Sequence, residues 1–329
     1  MASTLILTGR DVSRLLSLDD CIAAVEAAFR AAGEGRVRAP GVLGMPTVDG
    51  GFHIKAAGIE LTRAYFAVKV NGNFPHNRVR HGLPTIQGVV ALCDAADGRL
   101  LALLDSIEIT TLRTGAATAV AAKYLARGES RVVTVCGCGT QGRVQLRAVS
   151  RVRPIVRACA YDAVPEAARQ YAREMAGELS LPVAPVSDLT SVASETDIWI
   201  TCTPSRRFFL GREHVSPGAF VAGVGADNED KQELEPGLLA SSTLVVDVRE
   251  QCATIGDLHH AIAAGVMDLA DVHAELGEVV AGRTPGRTSE REVIVYDSTG
   301  TALQDAAVAA LAYERALTGG IGLDVALHE

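Results

Sequence analysis

The sequence predicts an α/β protein that combines a doubly wound parallel sheet with a second, α+β domain. Its 329 residues exceed what one hydrophobic core usually supports, so we expect two domains. Apolar strand-like runs alternate with helical patterns after residue 128, which is typical of a parallel sheet covered on both faces. Aromatic residues make up only 4% of the chain, and the Ala, Val and Leu that must fill the interior suit this helix-on-sheet packing.

The first 127 residues indicate the α+β domain. Ser17 caps a segment with helical periodicity, short β-type runs follow as a mixed or antiparallel layer, and an Ala-rich helix is expected at 107–126. A last helix at 302–317 follows a glycine-containing turn. Because this helix can cross back to the first domain, we predict a discontinuous domain of residues 1–127 with 297–329.

Residues 128–296 indicate the parallel-sheet domain, in which continuous apolar strands are separated by helices. The predicted strands are 132–136, 156–161, 198–202, 220–224 and 244–248. The helices expected after the first two strands are 141–149 and 165–176.

The composition excludes several classes of partner. A net charge of −8 provides no basic surface for nucleic acid or for an anionic membrane, and we expect neither partner. The segment from Met1 to Leu7 lacks the basic start of a signal peptide and is expected to form the first strand, and no apolar run reaches the ~20 residues of a membrane span. Seven scattered cysteines are typical of reduced thiols, so we expect a soluble, cytoplasmic protein, and we assign no metal.

A glycine-rich turn follows the first predicted strand of the parallel-sheet domain. It contains Gly137, Gly139 and Gly142 in a GxGxxG pattern and leads into a helix, the context in which this pattern holds the pyrophosphate of a dinucleotide. We therefore predict a Rossmann nucleotide-binding domain, with Thr140 and Gln141 also at the cofactor. The alternative is a turn that only packs the helix against the sheet.

Asp162 lies at the end of the next predicted strand, 20 positions after Gly142. An acid at this place accepts hydrogen bonds from the ribose hydroxyls of the adenosine and repels a 2′-phosphate, so NAD(H) is the preferred cofactor. Arg143, in the glycine turn, leaves NADP(H) open as an alternative. An exposed acid without a ligand is the other interpretation of Asp162.

Two further strand ends carry residues expected at the nicotinamide half of the cofactor site. Thr201 and Thr203 follow one apolar strand, and Val224 follows the next. Because ligands of doubly wound sheets bind at the carboxyl ends of the strands, we predict that all three contact the cofactor. Ordinary loop positions are the alternative.

Several motifs together resemble the ornithine cyclodeaminase/mu-crystallin family, whose members include cyclodeaminases, alanine dehydrogenases and ketimine reductases. The resemblance covers almost the whole chain and rests on the joint occurrence of the motifs in order. They are VKVN at 68–71, RTGAA at 113–117, the glycine turn at 137–142, GAD at 225–227 with KQEL at 231–234, and DSTGTALQD at 297–305.

The resemblance implies a homodimer with a substrate held between the two domains, the discontinuous domain serving substrate binding and dimerisation. It places Lys69 and Asp227 nearest the reacting carbon, where we expect each to perturb the pKa of the other. It also places Arg113 at the junction of substrate and cofactor, Thr114 beside the pyrophosphate and Ser298 near the nicotinamide.

Arg113 and Asp297 also have purely structural interpretations. An unpaired guanidinium inside an apolar helix is costly, so Arg113 should meet a carboxylate or a phosphate, and a salt bridge to Asp105 or Glu108 is the simplest possibility. Asp297 is a candidate cap for the helix that follows it.

The chain departs from the family pattern at two places. Family members commonly carry an arginine shortly after an early proline to hold the substrate carboxylate, whereas this chain has Val42 near that position. His53 and Lys55 share one face of the next strand, and we hypothesise that they replace this positive charge near Lys69, which favours a substrate with a second acidic group. Ordinary surface positions are the alternative. In the second departure, Asn-Glu-Asp follows Asp227 where a Pro-Gly pair is often found.

Together these residues predict an NAD(H)-dependent enzyme that reduces an imine or oxidatively deaminates a small amino acid. Hydride exchange at an amine-bearing carbon needs a proton donor or acceptor and a cation, roles that Lys69 and Asp227 can fill. The alternatives are an ornithine-cyclodeaminase-like lyase with tightly bound NAD, and a non-catalytic NAD(P)H-dependent binder of small ligands, as in the mu-crystallin branch.

Overall fold

The computed structural model describes residues 3–327 of the chain, so Met1 and Ala2 of the expected first strand lie outside the described residues. The strands are β1 (Thr4–Leu7), β2 (Val37–Thr47), β3 (Gly50–Glu60), β4 (Ala64–Asn73), β5 (Ile86–Asp94), β6 (Leu100–Asp105), β7 (Val132–Cys136), β8 (Arg157–Tyr161), β9 (Val183–Val186), β10 (Ile198–Thr201), β11 (Arg206–Leu210), β12 (Phe220–Gly223), β13 (Gln232–Leu234), β14 (Thr243–Val246), β15 (Ala274–Glu275), β16 (Ile294–Asp297) and β17 (Leu323–Val325). The helices are α1 (Gly9–Leu15), α2 (Leu18–Gly33), α3 (Asn77–His81), α4 (Ser106–Leu125), α5 (Thr140–Val152), α6 (Pro165–Leu179), α7 (Pro236–Ala240), α8 (Arg249–Ile255), α9 (Asp257–Ala263), α10 (Leu276–Val280) and α11 (Ala302–Gly319).

The described residues form two compact units, and each is described by itself. Unit 1 comprises the residues up to Arg113 and those from Thr301 onwards, and unit 2 comprises Thr114–Gly300. The first division falls inside α4, earlier than the expected boundary after residue 127. The reason is that the second half of α4 packs within unit 2, where a Cβ added at Gly115 would lie 3.0 Å from the side chain of Val144.

Unit 1 is a mixed sheet covered by helices, as the sequence indicated. Its strand order among the described residues is β17-β1-β6-β5-β4-β3-β2, in which only β1 and β6 pair in parallel. The helices α2 and α11 contact each other and β3. Both helices are built from small and apolar side chains, and almost every residue in the first half of α11 is buried.

The start of α2 illustrates how local sequence sets these elements. The Ser17 hydroxyl accepts a hydrogen bond from the backbone N–H of Asp20, and the Asp20 carboxylate accepts one from the backbone N–H of Ser17. This capping box satisfies two helix-end donors that would otherwise lack partners. The apolar positions Cys21, Val25 and Phe29 then face the interior, as the helical periodicity predicted.

Unit 2 is the doubly wound parallel sheet. Its strand order is β15-β14-β16-β12-β10-β7-β8-β9, and every pairing in this sheet of the described residues is parallel. The chain enters at β7, continues outward to β8 and β9, and then returns to β10 on the other side of β7. The order therefore reverses between β7 and β10, which is the switch point where ligands bind in such sheets.

The core of unit 2 contains continuous apolar strands, with Trp199, Val221, Leu244 and Val295 fully buried. This confirms the five strands and the two helices that the sequence predicted, with ends that differ by a few residues. All seven cysteines are free thiols, and those of β7 and β8 lie within this apolar interior. Within residues 3–327, no helix combines the length and the apolar character that a membrane crossing requires.

Candidate functional site

The glycine-rich turn lies between β7 and α5, in the strand–turn–helix context that the sequence predicted. Gly137 adopts a φ of +107°, and a Cβ added there would lie 2.7 Å from the carbonyl oxygen of Cys202. A Cβ at Gly142 would collide with the carbonyl oxygen of Gly137. In contrast, a Cβ at Gly139 would meet nothing within 4 Å. Two of the glycines are therefore required by the fold, and the third leaves open space against its backbone.

The helix that follows this turn presents unsatisfied donors. Gly139 is the N-cap residue of α5, has no side chain with which to cap the helix, and lies exposed beside the exposed Thr140. The Tyr171 hydroxyl donates to the carbonyl of Gly142 at 2.9 Å and ties α5 to α6. A helix N-terminus with free N–H groups beside an open glycine attracts a phosphate group, since its dipole and donors both favour an anion.

Asp162 directly follows β8 and holds the glycine turn. Its carboxylate accepts hydrogen bonds at 2.9 Å from the backbone N–H of Cys138 and from that of Val164. Arg143 is also committed within unit 2, because it donates to the carbonyl of Cys138 and pairs with Glu174 at 2.5 Å. These residues fit a dinucleotide whose pyrophosphate lies at the turn and whose adenosine ribose lies beside Asp162.

The other predicted cofactor residues of unit 2 lie at the carboxyl edge of the sheet. Thr201 is the last residue of β10 and is fully buried, and its hydroxyl donates to Glu233. Thr203 lies in the loop that follows β10. Val224 lies beside this strand end, because its backbone N–H donates to the carbonyl of Thr201 at 2.8 Å. Ser298 is buried and directly follows β16, the neighbour of β12 in the sheet.

Asp297 does not cap the helix that follows it, contrary to one of the structural interpretations. It is the last residue of β16, is fully buried, and accepts a hydrogen bond from the backbone N–H of Leu258 at 2.9 Å. The N-cap of α11 is Thr301. The physical reason is that the strand continues through Asp297, so its side chain points into unit 2 before the chain reaches the helix.

Lys69 lies in the middle of β4, which extends to Asn73. The register places Lys55 of β3 directly opposite Lys69, and His53 directly opposite Asn71. Lys55 in turn lies opposite Val42 of β2. Since residues directly opposite each other on paired strands share a face, Val42, Lys55 and Lys69 form one row of neighbours in unit 1, and His53 lies on the same face two positions before Lys55.

Both lysines of this row are buried. The exposed fraction is 4% for Lys69 and 7% for Lys55, and His53 is half-buried. An ordinary surface position is therefore excluded for Lys55. A buried ammonium group is costly unless a negative charge lies nearby, so Lys69 is expected to contact an anion.

The partner of Lys69 is a carboxylate that sequence reasoning did not single out. Lys69 Nζ lies 2.7 Å from Oδ2 of Asp305, in the first turn of α11. Arg113 Nε donates to the other oxygen of Asp305 at 3.1 Å, and Arg113 Nη1 donates to Oε1 of Gln304 at 2.9 Å. The expectation that Arg113 meets a carboxylate is confirmed, but Asp305 takes the place that we assigned to Asp105 or Glu108.

The charges in this cluster set the pKa of each member. The pKa of Lys69 is lowered to about 7, mainly by burial; Asp305 opposes this shift, while the neighbouring Arg113 and Lys55 add to it. Burial alone would raise the pKa of Asp305, but Lys69 and Arg113 outweigh it and hold that pKa below its ordinary value. Within unit 1, the carboxylate that acts on Lys69 is thus Asp305. The cluster keeps an ionised carboxylate beside an amine that exchanges its proton near neutral pH.

Asp227 belongs to unit 2, on the loop that follows β12. Its side chain is 49% exposed, and Oδ1 accepts a hydrogen bond from Nζ of Lys231 at 2.6 Å. The Asn228 side chain caps the same loop by accepting from the backbone N–H of Asp230 at 3.1 Å. An Asx turn therefore supports the loop where family members often have Pro-Gly.

Two residues near Lys69 could have been found from the sequence by one signal. Gln304 and Asp305 are polar residues within the apolar, Ala-rich helix α11, and both are fully buried. A buried acid in such a helix must have a cationic partner, as we argued for Arg113 in α4. The same argument, applied to α11, would have joined Asp305 to Arg113.

The fold and these contacts define the chain as a dinucleotide-binding α/β protein with a second domain that carries a buried lysine–carboxylate cluster. The chain belongs to the ornithine cyclodeaminase/mu-crystallin family, whose family model matches residues 2–320.

Three solved structures resemble the chain over nearly its whole length. An archaeal alanine dehydrogenase dimer with bound NAD has 37% sequence identity and a TM-score of 0.94, and the match covers 99% of each chain. The Δ1-pyrroline-2-carboxylate reductase of Thermococcus litoralis, in complex with NADH and L-proline, has 34% identity and a TM-score of 0.92, with 98% of this chain and 100% of that chain covered. The iminosuccinate reductase of Paracoccus denitrificans, in complex with NAD+, has 32% identity and a TM-score of 0.92, with 99% and 100% covered.

Proposed function

We propose that the protein is an NAD(H)-dependent oxidoreductase that reduces the C=N bond of a small imino acid or, in reverse, oxidatively deaminates the amino acid. The observation that carries this proposal is the buried Lys69, which contacts Asp305 at 2.7 Å and has a pKa near 7. A group with such a pKa can donate and accept a proton at neutral pH. The relatives named above act on amino or imino acids with a nicotinamide cofactor, which supports the same chemistry here.

The reaction requires a proton as well as a hydride. When bound, NADH supplies the hydride that reduces the carbon of the C=N bond. We propose that the protonated amine of Lys69 gives its proton to the substrate nitrogen, which balances the charge of the new amine. Asp305 stays ionised and orients the Lys69 amine, and Arg113 holds the substrate carboxylate as well as Asp305.

Asp227 is the second group that we propose at the reacting carbon. Its carboxylate is half-exposed and is held by Lys231 at 2.6 Å, so its loop has a defined conformation. An ionised carboxylate stabilises the positive charge of a protonated imine. The proposal therefore requires the loop of Asp227 and the cluster of Lys69 to serve the same substrate.

For the cofactor we propose NAD(H), bound by the glycine turn and Asp162. The supporting contacts are the open space at Gly139, the exposed start of α5 and the carboxylate of Asp162 at the end of β8. Arg143 is paired with Glu174 and with backbone carbonyls, so its guanidinium is engaged away from a 2′-phosphate. We further propose that Arg113, Thr114, Thr140, Gln141, Thr201, Thr203, Val224 and Ser298 line this cofactor.

We propose that the substrate carries a second acidic group. Lys55 is buried beside Lys69, and Val42 occupies the neighbouring position where family members commonly have an arginine. Lys55 provides a cation near the position of the absent arginine, on β3 instead of β2. His53 lies on the same face and adds a second donor. The iminosuccinate reductase among the relatives has a dicarboxylic substrate by name, which is compatible with this arrangement.

We propose a homodimer that uses the sheet of unit 1. Apolar side chains are exposed along it, including Leu43, Met45 and Phe52, whose exposed fractions are 54%, 54% and 40%. Contiguous apolar surface of this kind marks a protein interface, and the archaeal relative is a dimer. Light scattering after size exclusion measures the mass of the particle in solution and so tests the dimer.

For the location we propose the cytoplasm, which the free thiols support.

One experiment tests the reductase proposal directly. Purified protein is mixed with NADH and a panel of 2-oxo acids with ammonia or methylamine, together with preformed cyclic imines, and with NADPH in parallel. Stoichiometric loss of NADH absorbance supports the proposal. Release of ammonia from a diamino acid with only catalytic NAD identifies a cyclodeaminase instead, and NADH binding without any turnover identifies a binding protein.

A further inference from the structure

Glu233 is a fully buried carboxylate at the carboxyl edge of the unit 2 sheet, and the proposed chemistry does not use it. Its Oε2 accepts hydrogen bonds at 2.7 Å from the Thr201 hydroxyl and at 2.7 Å from the backbone N–H of Gly225. Its Oε1 accepts one at 2.5 Å from the backbone N–H of Thr203. Three donors thus converge on one carboxylate.

The donors come from two different loops. Thr201 ends β10 and Thr203 lies in the loop after it, and Gly225 belongs to the loop after β12, two residues before Asp227. A Cβ at Gly225 would collide with both the Glu233 carboxyl carbon and the carbonyl oxygen of Thr203. The three segments are therefore in close contact, and Glu233 is the group that joins them.

The loop after β10 also meets the glycine turn. The backbone N–H of Cys202 donates to the carbonyl of Cys136 at 2.9 Å, and Gly137 packs directly on the carbonyl of Cys202. Any shift of the Thr201–Thr203 segment would therefore also displace the glycine turn, where the pyrophosphate is proposed to bind. Glu233 lies behind this arrangement and is not itself exposed to a ligand.

A second carboxylate fixes Glu233 in its turn. Oδ1 of Asp257, the first residue of α9, accepts from the backbone N–H groups of Glu233 and Leu234 at 2.9 and 3.0 Å. The backbone of β13 is thus anchored to α9 while its side chain anchors the two loops. The position of the Glu233 carboxylate is determined from both sides.

We propose that Glu233 is a positioning residue whose ionised carboxylate holds the loops after β10 and β12 in the conformation that binds the nicotinamide half of the cofactor and presents Asp227. This inference rests on the proposed function. Its structural basis is the distribution of the donors, because one backbone N–H points at each carboxylate oxygen. The ionised form offers two strong acceptors, whereas a protonated acid has one strong and one weak acceptor and an amide has only one, so both of these hold the two loops less firmly.

The protonation state of Glu233 is sensitive to pH near neutrality. Its pKa is raised to about 7, mainly by burial and also by the neighbouring Asp257, while the donors Thr203 and Thr201 oppose that rise. The thiols of Cys136 and Cys202 also face it, and burial raises the pKa of both thiols, so they remain neutral in this range. Lowering the pH through about 7 should therefore neutralise Glu233 and release one loop.

The test compares Glu233→Gln with Glu292→Gln, a matched control at the opposite end of the same sheet. Glu292 also accepts from a threonine hydroxyl, that of Thr243 at 2.7 Å, but its backbone donor Thr288 points at one oxygen only. A glutamine can satisfy this arrangement, with its oxygen toward Thr288 and its amide toward the hydroxyl. At position 233 either orientation of the amide places an NH2 group against a backbone N–H.

The dissociation constant of NADH, measured by nicotinamide fluorescence without substrate, is the readout. At pH 8 we expect about a tenfold increase for Glu233→Gln and no change for Glu292→Gln. Between pH 8 and pH 6 the constant of the parent should rise toward that of Glu233→Gln, whose own value should stay flat. A purely structural role would instead lower stability without producing this difference in pH dependence.

Equal NADH binding and equal pH dependence for both variants would overturn the proposal. If Glu233→Gln loses its near-ultraviolet circular dichroism, Thr201→Val carries the test, because it removes one donor and leaves the carboxylate. We expect about a threefold weaker NADH affinity at pH 8, and unchanged affinity would overturn the proposal. Since binding is measured without turnover, a parent that binds NADH but reduces no imine contradicts the reductase proposal alone.

Discussion

Lys55 lies directly opposite Lys69 on neighbouring antiparallel strands, and both side chains are buried. Like charges placed opposite each other repel, so this pair raises the free energy of the protein unless an anion offsets it. Asp305 offsets part of that charge from α11. The pKa of Lys69 therefore depends on the charge of the substrate that binds beside the two lysines.

The pH dependence of turnover should report the pKa of Lys69. Reduction needs its protonated form, so kcat/KM for imine reduction should fall as the pH rises above about 7, while oxidative deamination should rise over the same range. Lys55→Met removes a like charge that lowers this pKa, so the break should move to higher pH. Steady-state rates at closely spaced pH values give the break. An unchanged break in Lys55→Met, like that expected for the exposed control Arg169→Met, would show that Lys69 is not the titrating group.

Substrate selectivity should depend on Lys55. For Lys55→Met we expect kcat/KM to fall about 10- to 100-fold for imino acids with two carboxylates and to change little for those with one. The measured quantity is, for each variant, the ratio of kcat/KM for imino acids with two carboxylates to that for imino acids with one. His53→Gln is a second variant on the same face. An equal loss for both substrate types would mean that Lys55 supports the cluster without reading a second acidic group.

Removing the carboxylate of Asp305 should strongly destabilise unit 1. Asp305→Asn leaves the buried Lys69 and Arg113 without their anion, and we expect a loss of about 3–5 kcal/mol in the free energy of unfolding. Urea denaturation at pH 6, where the amine of Lys69 is protonated, measures this loss. Glu178→Gln, which breaks the surface pair with Arg147, should change stability by less than about 1 kcal/mol. Similar midpoints for the two variants would contradict the cluster described for unit 1.

The glycine turn should tolerate no side chain at its third glycine. Gly142→Ala places a Cβ against the carbonyl oxygen of Gly137, so we expect NADH binding to be lost and the thermal midpoint to fall. Gly177→Ala, in the exposed part of α6, meets nothing within 4 Å and should stabilise by about 0.5–1 kcal/mol. Calorimetry and NADH titration of both variants distinguish a steric effect in the turn from a general loss of glycine.

Cofactor selectivity should depend on Asp162. Asp162→Ser removes the negative charge but keeps a short acceptor for the backbone N–H of Cys138. We expect the preference for NADH over NADPH, measured as a ratio of kcat/KM, to fall about tenfold or more. A ratio that stays the same would mean that Asp162 acts only as a structural support of the turn.

Patterns that are local in the sequence predicted most of the fold. The capping box of α2, the apolar strands of unit 2 and the glycine turn each depend on residues within a few positions of one another, and each was confirmed. The strands β9 and β16 were not indicated. β9 is a partly exposed strand at one edge of the sheet that contains Pro185, so it lacks a continuous apolar run.

The contacts of the candidate site were harder to predict, because they join distant parts of the chain. Lys69 and Asp305 are separated by 236 positions in the sequence, and only the register of the sheet and the packing of α11 bring them together. Glu233 was visible only as part of the KQEL motif, since nothing in that motif shows which loops its carboxylate joins. The residue types were predictable, whereas their partners required the structure.

The discontinuity of unit 1 also has a consequence for how the protein is made. During synthesis on the ribosome, unit 2 is complete once Gly300 has emerged, and domains generally fold as units in that order. Unit 1 must wait for α11, which packs on α2 and on the strands β3 and β4. Until then the nascent chain exposes the apolar surface that α11 will cover. We therefore expect unit 1 to need chaperones and to be prone to misfolding until α11 has been synthesised.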